Sequence, residues 1–182
     1  MTFDLADFSY SRHWPHARGG EAVSHFTVRI KSQLVGLPVH CVKTVFYLDR
    51  LTPVPLAPPE VAGLANLRGR IVTALHLDKC LRIDAGESSS ARLAVGIAHN
   101  GDDYALLVDD TGDVIVSEEQ DRVDSPAHLD AHLAELMAAF YRYDGGFLSI
   151  VDVAALIKRV SQQSESAYRT GESGNSKQGE RR

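Results

Sequence analysis

Short apolar runs separated by turn residues recur along most of the chain. Phe26, Val28 and Ile30 alternate with polar residues and predict a strand over residues 24–31. Further apolar runs occur at 34–37, 93–98, 104–108, 114–116 and 147–151. The Asn-Gly pair at 100–101 predicts a hairpin between two of these runs. Strands this short, with turns about every eight to twelve residues, predict small barrels rather than an open parallel sheet.

Three segments have apolar residues at helical spacing instead. The first follows Pro38, where Val39, Val42, Val45 and Phe46 predict one or two helical turns. The second spans residues 126–141 and is read as a helix or a helix-prone excursion, because apolar side chains recur at Leu129, Leu133, Leu136, Met137 and Phe140. The third, residues 153–160, is also predicted to be helical.

The stretch from 58 to 83 combines a polar turn with a strand. Asn66-Leu67-Arg68-Gly69 stands directly before a strand in which Ile71, Thr73, Leu75 and Leu77 share one face. Asp78 closes that strand and can cap a short helical turn, and a similar strand–Asp–helix order at 147–157 suggests two related subdomains. An arginine between a turn asparagine and a glycine is held at the rim of a sheet. That position suits a contact residue.

The apolar pattern places one folded domain at residues 23–160. Residues 1–22 mix aromatic and polar side chains without a sustained period, so we expect a flexible arm. The small polar run at 84–90 indicates a boundary between two subdomains near 84–92. From 161 to 182 the chain is Ser, Gln, Gly and charge, which predicts a disordered tail.

Composition narrows the class of protein. The chain has 182 residues, of which 44% are hydrophobic, so it can build the core of one domain or of two small subdomains. Its net charge of −5 argues against a nucleic-acid binder. There is no apolar run near the roughly 20 residues of a membrane span, and the N-terminus does not resemble a signal peptide. Cys41 and Cys80 lie in apolar patterns, as buried thiols do. We therefore expect a cytoplasmic protein.

The sequence offers little catalytic chemistry. It has no glycine-rich phosphate loop, no GxSxG turn and no recognisable nucleophile–base set. His128 and His132 lie four residues apart on the predicted helix, and Glu135 follows three residues after His132. This spacing could place the three side chains on neighbouring turns, so a metal-dependent enzyme is kept as a remote alternative. Otherwise we expect no enzyme activity, no cofactor and no metal.

Read together, these segments resemble the CheW-like domain, the adaptor module of bacterial chemosensory arrays. The resemblance covers residues 24–158 and is most specific at the Asn66–Gly69 turn. The matching segments are Phe26-Thr27-Val28, Gly36-Leu37-Pro38 with Val42 and Val45, Gly63 to Gly69 with Ile71-Val72, Leu77-Asp78, Leu107-Val108-Asp109, Val114-Ile115, and Leu148 to Asp152 with Leu156-Ile157.

The resemblance implies a mainly β fold of two five-stranded SH3-like barrels with a few short helices. It also implies a non-catalytic scaffold that couples the signalling tips of chemoreceptors to the regulatory domain of a CheA-type histidine kinase, in the cytoplasm at membrane-associated receptor arrays. Because no kinase, dimerisation or phosphotransfer segment accompanies the domain, we expect the stand-alone adaptor.

The family's contact positions fall on Val42, Gly63 and Arg68, and the two motifs around them add Thr44, Val45, Asn66 and Leu67 as expected partner-binding residues. An arginine beside an exposed pair of valines would suit a helical partner. This chain departs from the family's V-x-E-V run, which here reads Val42-Lys43-Thr44-Val45. Because this acid is absent, a second function stays open, that of an auxiliary CheW-like protein that binds the kinase regulatory domain or another partner without normal receptor coupling.

Overall fold

The computed structural model describes residues 2–4, 22–83, 92–127, 129–144 and 146–175. The strands in these ranges are, in chain order, β1 (Thr2–Asp4), β2 (Ala22–Ile30), β3 (Gln33–Pro38), β4 (Val42–Tyr47), β5 (Val61–Leu67), β6 (Arg70–His76), β7 (Leu93–His99), β8 (Asp102–Val108), β9 (Asp110–Glu118), β10 (Arg122–Val123), β11 (Met137–Tyr143) and β12 (Gly146–Val151). The α-helices are α1 (Leu77–Cys80), α2 (Ala131–Leu136) and α3 (Val153–Asn175).

The strands form two sheets that exchange chain segments. The first sheet has the order β1-β4-β7-β8-β6-β5 and the second the order β10-β11-β12-β3-β2-β9. β6 pairs in parallel with β8, and β12 in parallel with β3. In both places a strand runs into a helix, which is the repeated order seen in the sequence. The mainly β class with two subdomains is confirmed, although the described part of each sheet has six strands where five were expected.

The largest apolar cluster joins the two subdomains, because it draws buried side chains from both sheets and from all three α-helices of the described chain. The first sheet encloses a second cluster built largely from small residues: Phe46, Leu48, Ala65, Val72, Ala74, Ala94, Ala105 and Leu107. The second sheet encloses Ile115, Tyr141, Leu148 and Ile150. Each sheet therefore has its own interior, and a shared core fixes one sheet on the other.

His25 lies deep in the second sheet, with its ring centroid 5.2 Å from that of Tyr141. Neither ring nitrogen has a hydrogen-bond partner among the described residues. Burial lowers the pKa of His25, because the charged imidazolium is poorly solvated there. The folded protein therefore favours the neutral ring.

The helical turns expected after Pro38 are wrong beyond Cys41. A single 3₁₀ turn covers Val39–Cys41, and Val42–Tyr47 is the strand β4. Val42, Val45 and Phe46 have the spacing of a helix face, but a register shift between Val42 and Thr44 and burial on both faces produce the same pattern in a strand. β-branched and aromatic residues also favour strands.

The apolar segment at 126–141 is partly helical. Asp130 caps α2 by accepting the His132 backbone N–H at 2.9 Å, and the chain becomes extended at Met137. Met137–Tyr143 is then strand β11, so Phe140 belongs to a sheet and not to a helix face. The apolar residues at helical spacing therefore belong to two elements, the short helix α2 and the strand β11.

The flanking segments also differ from expectation. The helix α3 continues through Asn175, so a disordered tail does not begin at 161, and residues 176–182 lie outside the described chain. At the other end, Thr2–Asp4 form a strand and Ala22 begins β2, whereas the rest of the expected arm lies outside the described residues. The loop at 84–91, where a subdomain boundary was predicted, is likewise not described. No helix in the described ranges has the length and hydropathy required to cross a membrane.

Candidate partner-binding surface

The turn between β5 and β6 is a two-residue hairpin loop formed by Arg68 and Gly69. Both residues have positive φ, 51° and 87°, as a type I′ hairpin turn requires. The Asn66 side-chain oxygen accepts the Gly69 backbone N–H at 2.8 Å and holds the loop closed. A non-glycine residue rarely adopts this backbone conformation, and such residues cluster at functional sites. The turn therefore presents Arg68 at the tip of the hairpin.

The Arg68 side chain is exposed and makes no hydrogen bond or ion pair with any residue that the structure describes. Two apolar side chains of the same hairpin are exposed with it, Ile71 at 75% and Leu64 at 37%. Ile71 lies directly opposite Asn66 in the strand register, on the outer face of the hairpin. We call Leu64, Asn66, Arg68, Arg70 and Ile71 the hairpin surface. It combines apolar area with an unpaired guanidinium, as binding surfaces do.

Gly63 has a structural role within this hairpin. It is buried with φ at 145°, and a Cβ added there would stand 2.5 Å from the Thr52 carbonyl oxygen. Thr52 and Leu64 exchange two backbone hydrogen bonds, 2.9 and 2.8 Å long, which bring this backbone against β5. Gly63 thus permits a close approach of two chain segments, and it offers no side chain to a partner.

The predicted partner-binding residues of β4 are buried. Val42, Thr44 and Val45 are exposed by 7%, 4% and 4%, so the expectation of an exposed valine pair is wrong. The two valines belong to the core that joins the subdomains. Thr44 and Leu67 meet over Gly96, where an added Cβ would stand 2.9 Å from Thr44 Cγ2 and 3.4 Å from Leu67 Cδ2. β4 therefore supports the first sheet from inside.

An ionic cluster that the sequence did not reveal lies beside the hairpin. Lys43 Nζ contacts Asp103 Oδ1 at 2.6 Å, and Arg70 Nη1 contacts Asp103 Oδ2 at 3.2 Å. The hydrogen bond from Lys43 is the main cause that lowers the pKa of Asp103, and Arg70 acts in the same direction. An acid on β8 therefore offsets part of the charge of two basic residues, and Arg68 remains outside the cluster.

Lys43, Arg70 and Asp103 are far apart in sequence, and their meeting depends on the order of strands in the sheet. β4 pairs with β7, β7 with β8 and β8 with β6, which brings the three side chains to one end of the sheet. The one local signal in the sequence is the Asn-Gly turn before β8. This turn predicts the hairpin of β7 and β8, but it does not predict which other strands lie beside that hairpin.

Two of the three candidate ligands of the remote metal alternative have partners in the described chain, although His132 Nδ1 is buried without one. The His132 Nε2–H donates to the Cys80 carbonyl oxygen at 2.9 Å, and Glu135 pairs with Arg159 Nη1 at 2.8 Å. His128 lies outside the described residues. The described part of the chain contains no cluster of three or more His, Cys, Asp or Glu side chains suited to a metal.

Cys80 is buried in the apolar interior as predicted, whereas Cys41 is only partly buried against it. Cys80 is buried, and the loss of solvation raises the pKa of its thiol to about 12. Cys41 is half-buried, and burial followed by the charge of Asp152 raises its pKa as well. Neither thiol has the low pKa of a reactive cysteine.

The described chain combines two sheets joined by a shared core with a basic residue at the tip of the β5–β6 hairpin. The family model for the CheW-like domain matches residues 24–161, which is most of the chain. This chain therefore belongs to the CheW-like domain family of adaptors.

Known relatives agree with that placement. The chain is 26% identical over 145 residues to the chemotaxis protein CheW of Bacillus subtilis strain 168, covering 80% of this chain and 92% of that protein. It is 26% identical over 151 residues to the chemotaxis protein CheW of Treponema pallidum strain Nichols, covering 81% and 89%. These identities are low, as expected for a divergent member.

A solved structure has the same fold. The crystal structure of the scaffolding protein TtCheW from Thermoanaerobacter tengcongensis matches 74% of this chain and 91% of its own, with a TM-score of 0.65 and 22% sequence identity. The match shows that the two-subdomain β architecture is that of TtCheW.

Proposed function

We propose that this protein is a non-catalytic adaptor that couples the signalling tips of chemoreceptors to the regulatory domain of a CheA-type histidine kinase. It would act in the cytoplasm, at membrane-associated receptor arrays. Membership of the CheW-like family supports the general role. The observation that carries the proposal for this chain is Arg68, presented at a hairpin tip without a partner among the described residues.

The chemistry of the hairpin surface fits a partner helix that carries a carboxylate beside apolar side chains. Ile71 and Leu64 would bury apolar area, which supplies affinity. The guanidinium of Arg68 would pair with the carboxylate and fix the register of the partner. Lys43 and Arg70 add positive charge that Asp103 offsets in part, so the surface favours an acidic partner.

A charge reversal with a matched control tests this proposal. Arg68→Glu is expected to weaken binding to a purified receptor signalling domain or kinase regulatory domain by at least about tenfold, since it places like charges opposite each other. Arg82 is also exposed and also has φ near 51°, so Arg82→Glu makes the same change elsewhere. Isothermal titration calorimetry should find the Arg82 variant within about twofold of the unmodified protein.

Equal binding by both variants would remove Arg68 from the contact. If the unmodified protein bound neither partner at about 100 μM, which is weaker than most specific contacts, the adaptor role itself would fail.

The burial of Thr44 and the Lys43–Asp103–Arg70 cluster favour a second candidate function. The acid usual in the family is absent from β4, and Asp103 on β8 pairs with Lys43 and Arg70. A member built this way could bind the kinase but not receptors. Separate titrations against each partner distinguish the two functions. In Thr44→Glu, a gain in receptor binding would support this second function and no gain would oppose it, once circular dichroism has shown that the variant folds.

A further inference from the structure

A small cavity lies where α3 packs against α1, α2 and the residue that precedes β5. The polar side chains of Glu60, His132, Arg159 and Gln163 line it, and buried apolar side chains of α2 and α3 complete its wall. The volume open to the centre of a water-sized sphere is about 10 Å³. This volume suits one water molecule, and it is too small for an organic ligand.

His132 brings an unpartnered acceptor to this cavity. The residue is only 7% exposed, and its Nε2 lies 2.9 Å from the Cys80 carbonyl oxygen. Because a carbonyl oxygen can only accept, Nε2 carries the hydrogen, and Nδ1 of the neutral ring is then an acceptor. Nδ1 is buried and has no hydrogen-bond partner in the described chain. A ligand that donates to Nδ1 would therefore remove the cost of burying it.

Arg159 brings a donor to the same cavity. Its Nη1 pairs with Glu135 at 2.8 Å, whereas its Nε–H is buried and has no partner among the residues that the structure describes. Glu60 adds carboxylate oxygens, which only accept when ionised. When the amide nitrogen of Gln163 faces Glu60, it donates to the two carboxylate oxygens at 3.0 and 3.1 Å. The wall of the cavity thus offers both a donor and acceptors.

This mixture of groups restricts the class of ligand. A cation would meet the positive guanidinium of Arg159. An anion would meet the carboxylate of Glu60 and the lone pair of His132 Nδ1. An apolar group would leave buried polar atoms without hydrogen bonds. A water molecule can accept from one group and donate to two others, and it has the right size.

We propose that this cavity is a binding site for one buried water molecule, which accepts the Arg159 Nε–H and donates to His132 Nδ1. Glu60 can accept its second O–H. The water would connect α3 with α2, which leads into the second sheet, and with the residue that leads into β5 of the first sheet. It would therefore help to hold α3 across both subdomains. This site is independent of the adaptor role, because the water can be detected without a receptor or a kinase.

Two measurements on the unmodified protein test this site. A high-resolution crystal structure is expected to show a water oxygen between about 2.7 and 3.2 Å from both His132 Nδ1 and Arg159 Nε. In nitrogen NMR spectra of isotope-labelled histidine, Nδ1 of His132 is expected to resonate at lower frequency than an acceptor nitrogen that has no hydrogen bond.

A matched pair of variants then assigns the donor to the cavity. Val160→Ile adds a methyl group to a buried residue of the cavity wall, and Val153→Ile adds the same group to a buried residue of α3 outside that wall. Val160→Ile is expected to displace the water and to move the His132 Nδ1 resonance to the position of an unbonded acceptor. Val153→Ile, which carries the same risk of overpacking, should leave the resonance unchanged. If neither variant folds, the two measurements on the unmodified protein still decide.

The water site would be refuted by any of three results. A crystal structure could show no water within hydrogen-bond distance of both atoms, or a protein donor at His132 Nδ1. The Nδ1 resonance of the unmodified protein could lie at the unbonded position. Folded Val160→Ile and Val153→Ile could give the same His132 resonance, which would place the donor outside the cavity.

Discussion

The hairpin β5–β6 contains the Asn66–Gly69 turn of the family pattern, and the strand β4 contains its Val42–Val45 run. The two elements differ in which side chains they expose. The hairpin places Arg68 and Ile71 in solvent, whereas β4 directs Val42, Thr44 and Val45 into the protein. A change at an exposed side chain of the hairpin should therefore alter binding with little effect on stability. A change in β4 should alter stability first, and binding as a consequence.

The difference follows from strand position. β5 lies at one end of the strand order, and Leu64 and Ile71 of its hairpin are exposed. β4 faces the first sheet's interior through Thr44 and Phe46 and the shared core through Val42 and Val45, and β1 covers its edge. The spacing of Val42 and Val45 in the family pattern is therefore poor evidence that their side chains form an exposed apolar patch.

The largest expected effect comes from the one buried residue of the hairpin that has no side chain. Gly63→Ala should destabilise the protein by about 3 kcal/mol, because its φ is unfavourable for alanine and its Cβ would meet the Thr52 backbone. Gly69→Ala is the control, since its φ is also positive but nothing lies within 4 Å of an added Cβ. It should cost about 1 kcal/mol in urea unfolding. Equal losses would mean that the contact with Thr52 is unimportant.

Val45→Ala should lower the free energy of unfolding by about 2 kcal/mol, through lost burial and a small cavity. Tyr47 is on the same strand but is 56% exposed, so Tyr47→Ala should cost less than about 0.5 kcal/mol. Chemical denaturation of both variants measures the difference. If Tyr47 proved the more costly, β4 would not be the internal support described above.

His25 is a buried polar residue of the second sheet. Because the pKa of His25 is lowered in the folded state, the unfolded chain binds the extra proton near pH 6. The stability is thus complete above the unfolded value of about 6.5 and falls as the pH decreases below it. We therefore expect the protein to be less stable at pH 5.5 than at pH 7.5.

His25→Phe should flatten this pH dependence, and His40→Phe, at an exposed position, should leave it unchanged. Thermal unfolding at several pH values gives the comparison. If stability changed with pH by the same slope in the unmodified protein and in both variants, the pH dependence would belong to groups other than His25.

The ionic cluster between β4 and the hairpin should contribute less. Asp103→Asn is expected to cost less than about 1 kcal/mol at pH 7, because Lys43 and Arg70 are largely exposed. The folded pKa of Asp103 is lowered, so its contribution is present above pH 4 or so and is lost as the pH falls through the folded value. Asp102→Asn, at the exposed neighbour, is the control. A larger loss for the control than for Asp103→Asn would contradict the assignment.

The smallest effect on stability is expected at Arg68. Arg68→Gly should stabilise the protein by about 0.5 kcal/mol, since glycine adopts positive φ without strain. The same variant should bind partners more weakly, because the guanidinium is gone. Unfolding and titration experiments on one preparation test both statements. A destabilisation above about 1 kcal/mol would show that Arg68 holds the hairpin together.

Local patterns in the sequence were enough to predict much of this protein. The alternation at Phe26, Val28 and Ile30 and the Asn-Gly turn at 100–101 predicted strands and turns, because side-chain direction and turn conformation depend on neighbouring residues. Arg68 at a fixed rim position was predicted for the same reason. The mainly β class followed from these short strands and turns, and the adaptor family from the resemblance of the segments to the CheW-like domain.

The tertiary structure decided which of those residues face solvent and which meet one another. Val42 and Val45 are buried because residues from distant parts of the chain pack with them in the shared core, and Thr44 is buried over Gly96 of β7. Asp103 meets Lys43 and Arg70 because β8 enters the sheet between β7 and β6. Contacts of this kind depend on strand order and on crossings between the two sheets. A period of two along one strand carries no information about them.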